Sequence, residues 1–213
     1  MMSVLIFANG VIDEVAWIRP YLETATAVIA ANGGSRHLFR LNHPPNHLIG
    51  DLDSINSNIR AWLDTANCKI HAHPAEKNET DLELALLFAI EAFSKEILLF
   101  GTLGGRLDQT LANILLLTHP KLKNHTIHLI TQTEKAWLVY DETNIHGAIG
   151  DTVSLIPLKD DVYFESTDGL QYPLVNERLA FGPARGISNV LTQAIATVKI
   201  TSGLLLCVHT THQ

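Results

Sequence analysis

Residues 101–113 read Gly-Thr-Leu-Gly-Gly-Arg-Leu-Asp-Gln-Thr-Leu-Ala-Asn, between an apolar strand-like run (Ile97 to Phe100) and a helix-like run (Leu111 to Leu117). Glycines at a strand-to-helix turn let backbone N–H groups approach a ligand, and the helix N-terminus behind them favours an anion such as phosphate. Arg106 and Asp108 add a cation and a carboxylate at the same place. The stretch is neither a GxGxxG fingerprint nor a Walker A loop, which would need a lysine after the glycines. Two acidic segments accompany it. In Gly50-Asp51-Leu52-Asp53-Ser54, alternation sends both aspartates to one side of an extended chain. Close carboxylates are costly unless a cation lies between them, and Mg²⁺ is a common solution. A turn with an N-cap for the helix starting near Asn56 explains one of Asp53 and Ser54, not the pair of acids. In Lys77-Asn78-Glu79-Thr80-Asp81, Asp81 falls in a first helical turn, where the helix dipole alone favours an acid. An acidic, metal-holding rim facing a glycine turn suits phosphoryl or pyrophosphoryl transfer, which needs charge neutralisation and positioning more than a covalent nucleophile.

The elements that must position these groups alternate. Val4–Ala8, Thr26–Ala30 and Ile97–Phe100 are short apolar runs of buried-strand length, and His47–Ile49, Lys69–Ala72 and Thr126–Ile130 are weaker ones. Leu82, Ala85, Leu86, Ala89, Ile90 and Phe93 mark one face of a helix, and Thr80 with Glu83 forms a capping box at its start. This alternation predicts an α/β fold: a mainly parallel α/β/α sheet domain over residues 1–140, with ligands at the carboxyl ends of its strands. Past residue 140 strand signals dominate, at Thr152–Ile156, Val162–Phe164, Ala196–Ile200 and Leu204–Val208. They are separated by Asp168-Gly169, Gly182-Pro183, Arg185-Gly186 and Ser202-Gly203. A small antiparallel sandwich over 141–213 follows, with the boundary in the polar stretch Asp141–Gly150.

Composition narrows the class. The 213 residues are 46% hydrophobic with a formal net charge of −7, which argues against nonspecific binding to nucleic acid or to an anionic membrane. No apolar run approaches the roughly 18 residues of a membrane helix, and no cationic segment precedes the short N-terminal apolar run. A cytoplasmic protein is expected. Cys68 and Cys207 read as buried free thiols. His71 and His73 share one side of a strand but lack a third ligand, so surface or strand-end roles are favoured over metal binding. Trp17 and Trp62 suit helix faces, and Trp137 a strand.

Asn32-Gly33-Gly34, Gly50-Asp51-Leu52-Asp53-Ser54-Ile55, Thr80-Asp81-x-Glu83-x-Ala85-Leu86 and Gly104-Gly105-Arg106-Leu107-Asp108-Gln109, in this order, resemble thiamine pyrophosphokinases. The tail, Gly169-Leu170-x-Tyr172-x-Leu174, Leu179-x-Phe181-Gly182 and Gly186-Ile187-Ser188-Asn189, resembles that family's thiamine-binding domain. The resemblance implies an ATP-dependent transfer of pyrophosphate to the hydroxyl of thiamine, giving thiamine diphosphate and AMP. It also implies a homodimer in which the sandwich of one subunit helps to form the thiamine site of the other. It assigns Asp51, Asp53 and Asp81 to Mg²⁺ and catalysis. Gly33, Gly34, Thr80, Gly104, Gly105, Arg106 and Asp108 fall to ATP, and Asp53, Gln109, Tyr172, Ser188 and Asn189 to thiamine.

There are departures. Asn32 stands where the family often has Asp, Arg36 where Asn is usual, and Asn78 where an acid is common; Gln109 replaces a frequent His. Other readings are a pyrophosphokinase acting on a different hydroxymethyl heterocycle such as a pterin, and a thiamine or nucleotide binder with weakened catalysis. A phosphatase using Asp51-x-Asp53 as haloacid-dehalogenase-like hydrolases do would want that pair on the first strand, whereas here it lies mid-domain.

Overall fold

The structure, a computed structural model, describes residues 3–93 and 95–212. The chain divides into two compact units, Met1–Gln132 and Thr133–Gln213.

The first unit alternates strand and helix: β1 (Ser3–Phe7), α1 (Arg19–Thr24), β2 (Ala27–Ala31), α2 (Ser35–Leu41), β3 (His47–Gly50), α3 (Ser57–Thr65), β4 (Lys69–Ala72), α4 (Asp81–Ala92), β5 (Glu96–Phe100), α5 (Leu107–Leu116) and β6 (Ile127–Ile130). The strands pair in parallel in the order β6-β5-β1-β2-β3-β4. Every residue of β1 and β2 is buried, as strands covered on both faces require. Leu5, Phe7, Val28, Ala30, Leu48 and Phe100 pack in one core with Leu22 of α1, Leu38 of α2, and Ile59 and Leu63 of α3. Helix α4 buries Leu82, Ala85, Leu86 and Ala89 and packs on β1, β2 and β3. Each such large side chain contributes roughly 1.5–3 kcal/mol of hydrophobic stabilisation. The expected capping box is present in its first half: Thr80 Oγ1 accepts from the Glu83 N–H at 3.1 Å.

The chain runs outward from β1 through β2 and β3 to β4, then returns to β5 on the other side of β1. The strand order therefore reverses between β1 and β5. In open α/β sheets ligands bind outside the carboxyl ends of the strands at such a switch point, and the turn after β5 is the glycine stretch singled out above.

The second unit is antiparallel. It contains β7 (Glu134–Val139), β8 (Glu142–His146), β9 (Thr152–Pro157), β10 (Val162–Asp168), β11 (Arg178–Leu179), β12 (Asn189–Val190), β13 (Ile195–Ser202) and β14 (Leu205–Thr210). One sheet runs β12-β9-β14-β7 and the other β11-β10-β13-β8. Their alternating inward residues, among them Val153, Leu155, Phe164, Val198, Leu205 and Cys207, share one core. The second unit begins at residue 133, not 141. Strand β7 pairs along its length with β14, and the Asp141–Gly150 stretch where the boundary was expected holds β8 and the turn after it. Cys207 is buried in β14, whereas Cys68 lies outside β4 and is half-buried; both are free thiols. Burial pushes the Cys68 thiol up to about 11, so it is protonated at neutral pH. Among the described residues, no helix is long and apolar enough to cross a membrane.

Candidate active site

Three loops at the carboxyl edge of the first sheet line a cleft of about 590 Å³. Ala8 to Val11 follow β1, Gly101 to Arg106 follow β5, and Lys77 to Asp81 lead into α4. Asn32, Gly33 and Arg36 come from the turn after β2 and the start of α2.

The acids converge. Asn32 Nδ2 donates to Asp51 Oδ1 at 2.8 Å, Asp53 Oδ1 at 2.9 Å and Asp81 Oδ2 at 2.9 Å. Three carboxylates that are 19 to 49 residues from Asn32 in sequence thus share one amide nitrogen. Lys77 Nζ lies 3.1 Å from Asp81 Oδ1 and 3.6 Å from Asp51 Oδ2. The Asn32 amide, with Ser54 and Asp51, holds the Asp53 carboxyl below the usual carboxylate range, so it is ionised at neutral pH. The capping half of the rival structural role is gone, because the cap of α3 is Asn56, whose Oδ1 accepts from the Ile59 N–H at 2.9 Å; the turn half is present, with Asp51 Oδ1 accepting from the Asp53 N–H at 3.2 Å.

The glycine turn opens onto the cleft that Asn32, Lys77 and Asp81 also line; Asp51 and Asp53 are not among its lining residues. Gly101, Gly104 and Gly105 have φ of +65°, +81° and +81°, a region that side chains rarely adopt. Asn113 Nδ2 pins the turn by donating to the Thr102 carbonyl at 2.7 Å. No side chain caps α5. Arg106 and Asp108 pair with each other, Nε to Oδ1 at 3.1 Å and Nη2 to Oδ2 at 2.5 Å; Arg106 lines the cleft, Asp108 does not. Gln109 and Thr80 also line it, as does Gly33. Gly34 does not: it is buried beneath the turn, where an added Cβ would lie 1.9 Å from the Phe7 carbonyl oxygen. Its missing side chain serves close packing on β1 rather than phosphate approach.

The structure adds residues that sequence reasoning passed over. Asn9 and Gly10 line the cleft, and a signal for them existed in the polar step ending the first apolar run. Arg36 Nη2 donates to the Asn9 and Gly10 carbonyls at 2.8 and 2.9 Å, and Arg40 donates to the Ile12 carbonyl at 2.6 Å and also to Asp13. Helix α2 thus clamps the loop after β1 with its basic side chains. His37 joins them. Its Nε2 sits 2.9 Å from the Gly10 carbonyl oxygen, an acceptor, so Nε2 carries the hydrogen. Burial, aided by Arg36, lowers the His37 pKa to about 4. The unfolded chain therefore takes up this proton first as pH falls below about 6.5, and stability is lost until about pH 4, where both states are protonated. Urea unfolding at pH 7 and pH 5 should show a loss of about 2 kcal/mol from this group, absent in His37→Gln. Equal pH slopes in the two proteins would contradict it.

The remaining candidates lie in the second unit. Tyr172 is 62% exposed, and Ser188 is exposed with φ +59°. Asn189 is buried, its Nδ2 donating to the Tyr172 carbonyl at 2.7 Å and its Oδ1 accepting from the N–H groups of Tyr172 and Val190 at 3.0 and 2.9 Å. It grips the backbone beneath the Tyr172 ring. His71 pairs with His47, Nε2 to Nδ1 at 2.9 Å, against Phe88, rather than with His73.

Residues 18–130 match the family model "Thiamin pyrophosphokinase, catalytic domain", and residues 124–205 match "Thiamin pyrophosphokinase, vitamin B1 binding domain". The chain belongs to the thiamine pyrophosphokinase family. It is 30% identical over 215 residues to the thiamine pyrophosphokinase of Bacillus subtilis, covering 99% of this chain and 100% of that one. The crystal structure of the thiamine pyrophosphokinase from that organism superposes with a TM-score of 0.88, again covering 99% of this chain and 100% of the other. A thiamin pyrophosphokinase from Geobacillus thermodenitrificans, 28% identical, gives 0.86 over 100% and 99% of the two chains. A plant relative, thiamine pyrophosphokinase 1 of Arabidopsis thaliana, is 26% identical over 93% of this chain and 73% of its own. Apart from Ala8 to Val11, the residues lining the cleft fall within the catalytic-domain match, and Tyr172, Ser188 and Asn189 fall within the vitamin B1 match.

Proposed function

We propose that this chain transfers a pyrophosphoryl group from ATP to the hydroxyl of thiamine, releasing AMP. The observation that carries this reading is the convergence of Asp51, Asp53 and Asp81 on one point beside a glycine turn, in a chain of this family. The acids suit a hard divalent cation by donor type: one carboxylate oxygen of each lies within 2.9 Å of the Asn32 Nδ2 atom that ties them together, and Asn32 Oδ1 is buried without a hydrogen-bond partner. Oxygen-only donors suit Mg²⁺. Held there by Asp51, Asp53 and Asp81, Mg²⁺ would neutralise charge on the ATP phosphates.

The chain's own groups do the rest. Gly104 and Gly105 leave their own backbone uncovered by side chains, and the uncapped first turn of α5 offers N–H groups to phosphate oxygens. Arg106 adds positive charge at the same mouth, and Gly33 and Thr80 bound the ATP side. Asp53, ionised and exposed, would accept a hydrogen bond from the acceptor hydroxyl, and Gln109 lines the cleft wall. On the thiamine side Tyr172 offers an aromatic face to a cationic ring, Ser188 a hydroxyl, and Asn189 fixes the Tyr172 backbone.

The active form is a homodimer with sites shared between copies. Helix α5 supports this: it buries no residue, and Leu107, Leu111 and Leu115, spaced along one face, are 82%, 54% and 45% exposed. Such a stripe is the apolar surface a second copy would cover.

The deciding experiment is AMP formation from ATP and Mg²⁺ with thiamine as acceptor, then with a hydroxymethylpterin. AMP and thiamine diphosphate in equal amounts, and none with the pterin, are expected. Transfer to the pterin alone would replace the acceptor, and binding of both substrates without AMP would leave a sensor.

A further inference from the structure

The three carboxylates around Asn32 carry three negative charges against one ammonium, that of Lys77, and a neutral amide. Lys77 stands on the segment between β4 and α4 and is held by three oxygens: the Pro74 carbonyl at 3.0 Å, Asp81 Oδ1 at 3.1 Å and Asp51 Oδ2 at 3.6 Å. Its side chain is 12% exposed, against 15% for Asp51 and 21% for Asp81. Asn32 is 5% exposed. Its nitrogen is over-subscribed, with two hydrogens for three acceptors, while its oxygen has no partner. In this arrangement, among the described residues, no three acidic, histidine or cysteine side chains are spaced as a finished metal cage. The acids are instead arrayed around the amide and the ammonium.

We propose that Lys77 is the resident counter-ion of the acidic cluster and that a divalent cation binds by displacing its ammonium, with Asn32 holding the three carboxylates in register meanwhile. This rests on the reading of Asp51, Asp53 and Asp81 as the cation's ligands. The physical case is one of charge and flexibility. A lysine is a point charge on a flexible stem, able to swing away from the acids when a stronger cation arrives. A doubly charged ion at the same acids gains more, because the cluster keeps two uncompensated charges while Lys77 is in place. A neutral amide at position 32 suits this exchange. It ties the acids together without adding a fourth negative charge, while its oxygen stays buried without a hydrogen-bond partner.

The consequence is specific: removing the lysine should strengthen cation binding. Mn²⁺ titration by calorimetry, without nucleotide, is expected to give about tenfold tighter binding for Lys77→Gln than for the unmodified chain, together with a lower melting temperature before Mn²⁺ is added. As a measurement on the unmutated sequence, reductively ¹³C-methylated protein should show the Lys77 signal, assigned by its absence in Lys77→Arg, move to the position of exposed lysines as Mg²⁺ saturates. Equal or weaker Mn²⁺ binding by Lys77→Gln overturns the proposal, as does a Lys77 signal indifferent to Mg²⁺. Asp53→Asn separates the two readings. If it loses Mn²⁺ while Lys77→Gln binds unchanged, only the displacement is lost. If the unmodified chain and Asp53→Asn bind Mn²⁺ equally, the acidic cluster is not the cation site and both readings fall.

Discussion

Replacing Asp53 by Asn is expected to reduce pyrophosphoryl transfer by at least about 10²-fold, the scale seen when one preorganised electrostatic group is removed from an active site, while the fold persists. Asp53 is exposed, so no core volume changes. An Asn at this position still offers an oxygen to the Asn32 amide, and one of three crowded negative charges disappears. The melting temperature should therefore hold or rise. Transfer followed as AMP release across a Mg²⁺ titration, beside a thermal melt, checks both halves. Activity within a few-fold of the unmodified chain at saturating Mg²⁺ would remove Asp53 from the chemistry. Mixing Asp53→Asn with Asn189→Ala, which loosens the Tyr172 backbone, extends the test to the dimer. If sites are shared between copies, a mixed dimer regains one intact site and some activity returns.

A second large effect is expected at Gly34, this time on stability. Its φ of −59° and ψ of −22° suit any residue, so backbone strain is not the issue. Space is. A Cβ there would meet the Phe7 carbonyl oxygen at 1.9 Å and its carbon at 2.5 Å. Those atoms belong to β1, whose residues are all buried and which pairs with β2 and β5 on either side. Neither partner can yield cheaply. Gly34→Ala should cost about 3 kcal/mol, at the upper end of overpacking penalties, and lower the melting temperature by roughly 6–12 °C. A melt within a degree or two of the unmodified chain would mean that the turn after β2 lifts away from β1 without penalty.

These two residues also show what could be read without coordinates. Asp53 was legible because it sits two residues from Asp51, just past an apolar run, and strand ends in such folds gather ligands. The helix carrying Asp81 was legible from its apolar face and its Thr80 cap. Gly34 was legible as a glycine in a motif, but its reason was not, since contact with Phe7 depends on how β1 and the turn after β2 meet. Asn32 is the sharper case. Its pairing with acids 19 to 49 residues away leaves no local pattern. Read alone it is a missing carboxylate; in the fold it is the tie between the others. Arg36 likewise looked like a departure, and proves to hold the loop after β1. In the second unit, β8 is mostly polar and buries only Ile145, so its hydrophobic signal was too weak to show a strand in the stretch where the boundary was expected.

The place of β14 has a consequence for how the chain is made. In its sheet β14 lies between β9 and β7, so two strands synthesised earlier have no common neighbour until the last strand emerges from the ribosome. The first unit has no such wait, because all its strands precede Gln132. Domains fold as units during synthesis, the N-terminal one first. The cleft of the first unit should therefore be formed on nascent chains while β7 and β9 still lack the neighbour between them, the interval in which this chain is most open to aggregation.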